Sequence, residues 1–310
     1  MNSPDSPRGM LDAATRRDLL KAAAGAAAIG LAAGNRTAKA TTMPLIKNGR
    51  IKQSLVHWCY EPYWKDYDAF IQVAKDLGCT SVELAPPAMY PKLKAAGLTN
   101  AIAQIDMGGD PPFLKGFNNP KHWDRVIAAT KASIDDCAEY KFPSVIAFTG
   151  YSEGLSPEEG AKNCVEGFKK VVGYAEEKGV VICLEMLNTR ADDHPMKGHP
   201  GYQGDHTDYC IDIIKRVGSP NLKLLFDFYH VQIQDGDLIR RLHQLKDYIG
   251  HIHTAGNPGR GELDAKQEIY YPPLMHTLVE IGYKGYVGHE FIPTRDPLEG
   301  LKEAVALTDV

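Results

Sequence analysis

From about residue 50 onward, short apolar and β-branched runs alternate with longer stretches in which apolar positions recur at helical spacing. The short runs lie at 52–57, 81–84, 101–105, 144–148, 180–185, 223–228, 250–254 and 285–291. Their length and near-continuous apolar character suit parallel strands covered on both faces. The helical stretches lie at 66–77, 88–96, 120–140, 157–178, 205–217, 238–246 and 272–281, with a last one from Pro297. Gly78, Gly179, Gly218 and Gly282 stand where a left-handed residue ends a helix. Eight strands alternating with eight helices predict an α/β fold, a single-domain closed (β/α)8 barrel, ahead of an open doubly wound sheet.

The first 40 residues follow a different pattern. Arg16-Arg17 with Leu19, Leu20 and Lys21 precedes a mild apolar stretch from Ala22 to Ala33, and Ala38-Lys39-Ala40 ends it on small residues. That order of basic, apolar and cleavable parts predicts a Tat-type signal over 1–40, with the barrel occupying 41–310. The apolar part is too short and too rich in Ala and Gly to serve as a membrane anchor. The expectation is therefore export through the Tat translocon to a periplasmic or secreted location.

Composition narrows the function. A formal net charge of −4 argues against a nucleic-acid surface, which would normally be basic. The six cysteines are dispersed, without a C-x-x-C pair, and read as buried thiols in a chain long enough to need no disulfide.

Four of the apolar runs end in a side chain able to bind a metal: Glu185, Asp227, His253 and Glu290. In a (β/α)8 barrel the strand C-termini surround the active site, so the set predicts a metal centre at the barrel mouth. Three carboxylates and one imidazole suit Mg²⁺ or Mn²⁺ better than Zn²⁺. A cation bound to a hydroxycarbonyl acidifies the carbon-bound proton by stabilising an enediolate. Glu185 and Glu290, on strands that face each other across a barrel, are then the candidate acid and base. His230 and Arg260 are candidates to hold substrate oxygens. Two long connections, 186–204 and 255–271, belong over the catalytic face, and their polarity favours a hydroxyl-rich ligand. Glu83 reads equally as a mouth residue or a structural hydrogen-bond partner, and His57-Trp58 reads first as core packing.

The segments Leu184-Glu185-Met186-Leu187-Asn188, Phe226-Asp227-Phe228-Tyr229-His230, Gly250-His251-Ile252-His253, Asn257-Pro258-Gly259-Arg260-Gly261-Glu262 and Gly288-His289-Glu290-Phe291 resemble the hydroxypyruvate isomerase family, among the xylose isomerase-like TIM barrels. The resemblance implies a divalent metal on Glu185, Asp227, His253 and Glu290, with Glu185 and Glu290 as the acid/base pair. It also implies a substrate clamp formed by His230 and Arg260, as in the sugar epimerase relatives. His253 departs from the Gln of bacterial hydroxypyruvate isomerases and matches the epimerases, and export departs from their cytoplasmic setting. The leading expectation is an isomerase or epimerase acting on a small hydroxycarbonyl or sugar, with a homo-oligomer compatible with it. A keto-glycoside lyase or hydratase on the same site is the alternative. A non-catalytic periplasmic sugar-binding protein and a nuclease of the same superfamily follow behind.

Overall fold

A computed structural model describes residues 45–310, and the signal segment read at 1–40 lies outside the described residues. Seven parallel strands form one sheet: β1 (Lys52–Val56), β2 (Ser81–Glu83), β3 (Ser144–Phe148), β4 (Val181–Glu185), β5 (Leu222–Asp227), β6 (Ile249–Thr254) and β7 (Tyr286–His289). Their order is β2-β1-β7-β6-β5-β4-β3. Almost every residue in these strands is buried, which explains why they read as apolar runs rather than as alternating ones.

The run at 101–105 is not a strand. Its neighbourhood closes the sheet through two single bridges, Thr99 to Ser81 and Ala103 to Val145. The cause is local. Leu84 takes a left-handed backbone angle (φ 48°) and ends β2 after three residues; its N–H still reaches the Ile102 carbonyl at 2.9 Å, but the regular ladder goes no further. Serine side chains supply part of the missing ladder: Ala101 N–H donates to Ser81 Oγ at 2.9 Å, and Ser144 Oγ donates to the Ala101 carbonyl at 2.8 Å. The result is a TIM-barrel-like fold of seven strands with an irregular eighth position.

Other differences are smaller. The stretch 157–178 is two helices, Pro157–Lys169 and Val172–Lys178, parted where Val171 leaves helical geometry (φ −126°, ψ −25°). Asp227 ends β5 and at once caps a short helix, Phe228–Gln234, by accepting from Tyr229 N–H at 2.8 Å. Glu290 lies just past β7, yet its N–H still reaches the Thr254 carbonyl at 2.9 Å. All six cysteines are free and buried. Among the described residues, no helix is long and apolar enough to cross a membrane.

Candidate metal centre and active site

The register of β4 to β7 brings Glu185, Asp227, His253 and Glu290 together, each with a ligand atom within 4.8 Å of the others and all four buried. Asp227 pairs with His253 across β5 and β6, which sets both at one level of the barrel. Capping uses Asp227 Oδ1 and leaves Oδ2 without a hydrogen bond. Glu185 Oε1 is also buried without a hydrogen bond, 3.7 Å from His253 Nδ1, which in turn lies 2.9 Å from Glu290 Oε2. Unpartnered buried polar atoms are costly, and here two carboxylate oxygens converge beside the His253–Glu290 pair. Oxygen-rich donors, one imidazole nitrogen and two orphaned carboxylate oxygens fit a divalent cation.

His253 is held from behind by Glu83, whose position in the chain left its role open. Glu83 Oε1 lies 2.9 Å from His253 Nε2 and 3.0 Å from His251 Nε2. Burial alone would push the Glu83 carboxyl up, but the two imidazoles hold it well below the usual carboxylate range. An ionised carboxylate only accepts, so both Nε2 atoms carry protons and His253 turns Nδ1 toward the cluster, 2.9 Å from Glu290 Oε2. Burial opposes charge on this ring, but Glu290, Glu185 and Glu83 outweigh it and raise its pKa well above the ordinary value, so the metal-free ring holds a proton on Nδ1 that a bound cation would displace. β2 and β6 are not neighbours, so Glu83 reaches across the barrel interior. It passes Gly288 of β7, where a Cβ would stand 1.8 Å from its Oε1. The i, i+2 spacing of His251 and His253, one face of a strand, was the signal available in the sequence.

Arg260 supplies the cation of the cluster. Its Nη2 lies 2.6 Å from Glu290 Oε2 and 3.5 Å from Asp227 Oδ2, and its Nη1 donates to the Met196 carbonyl. The guanidinium stacks over Trp58 and Tyr229, 5.3 and 5.7 Å from the ring centroids. Trp58 also donates to Glu290 Oε1 at 2.9 Å, so it belongs to the site, whereas His57 packs against Tyr67 and Phe70. His230 Nδ1 accepts from the backbone and side-chain nitrogens of Asn188 at 3.2 and 2.7 Å. That places its proton on Nε2, which is buried without a partner 3.6 Å from Asp227 Oδ2.

The carboxylates are held unequally. Burial pushes Glu185 up to about 7, only partly offset by His253. Burial opposes Glu290 as well, but His253 and Arg260 outweigh it and hold that carboxyl down. Asp227 is raised to about 6 by burial against the pull of Arg260.

Glu185, Glu290, Arg260 and Trp58 line one side of a cavity of about 240 Å³. The long connection 186–204 contributes Leu187, Met196 and His199 to its walls.

Residues 71–309 match the profile of the family described as Xylose isomerase-like TIM barrel. The chain belongs to that family. It is 30% identical over 244 residues to a 2-oxo-tetronate isomerase of Pectobacterium atrosepticum, a match covering 74% of this chain and 88% of that protein. It is 30% identical over 152 residues to the hydroxypyruvate isomerase of Escherichia coli K12, covering 48% of this chain and 55% of the relative. The chain spans about half the length of several curated relatives it matches, including 47% of the human and mouse ones. Among solved structures, an Escherichia coli 3-keto-D-glucoside 4-epimerase superposes with a TM-score of 0.68 at 19% identity, covering 83% of this chain and 98% of that one. D-psicose 3-epimerase of Clostridium cellulolyticum, with D-tagatose, gives 0.63 at 19%, covering 82% and 90%. These likenesses concern the fold.

Proposed function

We propose that the chain is a metal-dependent isomerase or epimerase that moves a proton next to the carbonyl of a hydroxycarbonyl or sugar substrate. The carrying observation is the convergence of Glu185 Oε1 and Asp227 Oδ2, both buried without hydrogen bonds, on the close pair of His253 Nδ1 and Glu290 Oε2. The names of the sequence relatives point the same way. Glu185, Asp227, His253 and Glu290 would hold the cation, with Mg²⁺ or Mn²⁺ favoured by the oxygen-rich donor set. When bound, the cation supplies Lewis-acid stabilisation of negative charge on the substrate oxygens.

The side chains do the rest. One of Glu185 and Glu290 takes the proton from the carbon beside the carbonyl, and a proton returns to the same or the neighbouring carbon. In epimerisation the C–H broken is re-formed at the same carbon; in isomerisation it is re-formed at the neighbour, a proton passes between the two oxygens and the carbonyl lost at one carbon is gained at the next, so the reaction is redox-neutral overall. In the metal-free protein burial favours protonated Glu185 while His253 and Arg260 keep Glu290 ionised, and unequal environments of this kind separate acid from base. The unpartnered His230 Nε2–H and Arg260 Nε–H are available to substrate oxygens.

The test is ¹H NMR of Mn²⁺- or Mg²⁺-treated protein in D₂O (Mn²⁺ removed before spectra), with hydroxycarbonyl acids, free ketoses and 3-keto-glycosides. The expected result is solvent deuterium at a carbon beside the carbonyl with no group lost. Absence of exchange from every substrate class would sink the proposal, and loss of a substituent would turn it toward a lyase. Export through the Tat signal at 1–40 is part of the same proposal, checked by fractionating cells that express the full chain.

A further inference from the structure

One side chain in the cavity wall is out of character. Away from the metal cluster the wall is largely apolar, with Leu84, Phe113, Phe148 and Met196 among its residues, and His199 stands with them. The imidazole is 1% exposed, and its Nδ1 is buried without a hydrogen bond. Burial and the nearby Arg260 bring its pKa down to about 4 against an opposing pull from Glu290, so the ring is neutral at neutral pH. A neutral imidazole carries one N–H and one lone pair. No hydrogen bond among the described residues fixes which of its nitrogens has the proton.

Packing alone does not account for this residue. Phe113 meets the ring edge-on with centroids 4.5 Å apart, a contact that a phenyl ring would make as well. A buried polar atom without a partner is costly, so an imidazole here calls for something to bond. Its backbone, by contrast, is firmly held. His199 N–H donates to the Asn188 carbonyl at 2.8 Å, and Tyr202 N–H donates to the His199 carbonyl at 2.9 Å. The adjoining Gly198 leaves no room for a side chain, since a Cβ would stand 2.0 Å from the Ala191 carbonyl oxygen. Asn188 Nδ2 lies 2.7 Å from His230 Nδ1, so one residue positions both imidazoles, whose centroids are 5.8 Å apart.

Resting on the isomerase reading above, we infer that His199 is a substrate-binding residue that holds a third oxygen of a ketose, a hydroxyl beyond the carbonyl and its reacting neighbour. Those first two oxygens belong at the polar cluster with His230 and Arg260, and His199 lies outside that set. A hydroxyl both donates and accepts, so it matches a neutral ring in either tautomer. A hydroxyketone without it leaves the imidazole as unpartnered as it is in the free protein.

The experiment uses the full chain, ¹⁵N-labelled at histidine and treated with Mg²⁺. The probes are two ketohexoses, D-fructose and L-sorbose, and hydroxyacetone, which has a carbonyl, one hydroxyl and no third oxygen. The His199 ring signals, assigned by their loss in His199→Gln, should move saturably with a ketohexose and stay in place with hydroxyacetone. In deuterium exchange on the ketohexose, His199→Phe should raise KM about tenfold or more with kcat within about threefold, and His199→Gln should restore part of the loss. Exchange with unmoved His199 signals overturns this inference alone, as do equal shifts with all three probes. A His199→Phe that leaves KM unchanged, or lowers kcat with KM intact, overturns it too. Moved signals without exchange keep the binding site and remove the isomerase reading, whereas unmoved signals without exchange remove both.

Discussion

The barrel has two unlike halves. From β4 to β7 the strands pair in a nearly continuous parallel register, and every candidate ligand sits at or just beyond a strand end. From β2 through residues 99–105 to β3 the ladder is reduced to single bridges, with serine side chains standing in for backbone partners. The regular half holds the polar cluster, and the irregular half contributes Leu84, Gln104 and Phe148 to the cavity wall. A site that must hold four donors at fixed positions needs rigid strands. A wall that only shapes the ligand's far end tolerates irregular chain. The division predicts that damage to the first half falls on chemistry and damage to the second on substrate choice.

The largest expected effect follows from that division. Glu185→Gln and Glu290→Gln should each lower deuterium exchange by roughly 10²–10⁴-fold, the range of a lost acid or base, and weaken Mn²⁺ binding measured by EPR. Phe148→Leu in the wall should instead change KM by less than about tenfold. Equal losses in kcat from both sets would abolish the contrast between the halves.

The two halves also differ in how well the sequence announced them. Glu185, Asp227, His253 and Glu290 were legible because each closes an apolar run, and a parallel register carries such residues to one end of the barrel. The eighth strand was misread because 101–105 has strand composition, while the obstacle, Leu84 at positive φ, has no composition signal at all. Glu83 was visible as a carboxylate in a buried run. Its partner could not be found from spacing, because the contact joins residues 170 positions apart across the barrel. The apolar wall escaped because it is assembled from scattered single residues, most of them in connections or at strand ends.

Glu83 is where the halves meet, and it sharpens the comparison. Glu83→Gln should weaken metal binding by roughly 10–100-fold, the usual cost of losing the carboxylate behind a ligating histidine, and should shift the ¹⁵N ring signals of His253 in the metal-free protein. Gly288→Ala should destabilise the fold by about 1–3 kcal/mol in urea titration, because its Cβ would collide with that carboxylate. Glu83→Ala/Gly288→Ala should cost clearly less than the sum of the single changes. Additivity would mean that Gly288 serves something other than clearance for Glu83.

The smallest effect should come from the irregular half. Ser81→Ala and Ser144→Ala each remove a side-chain partner of Ala101, from its N–H and its carbonyl respectively, in a buried place. Each should cost about 1–2 kcal/mol, less than the full penalty of a stranded group because the loosened segment can admit water. With the β4–β7 half untouched, metal affinity and kcat should stay within about twofold while KM rises, since Leu84 and Gln104 flank the loosened stretch. Urea titration and exchange kinetics on the same preparations measure both. A fall in kcat with unchanged KM would show that the serine-held segment governs the chemistry as well as the shape of the pocket, and the two halves would then act as one.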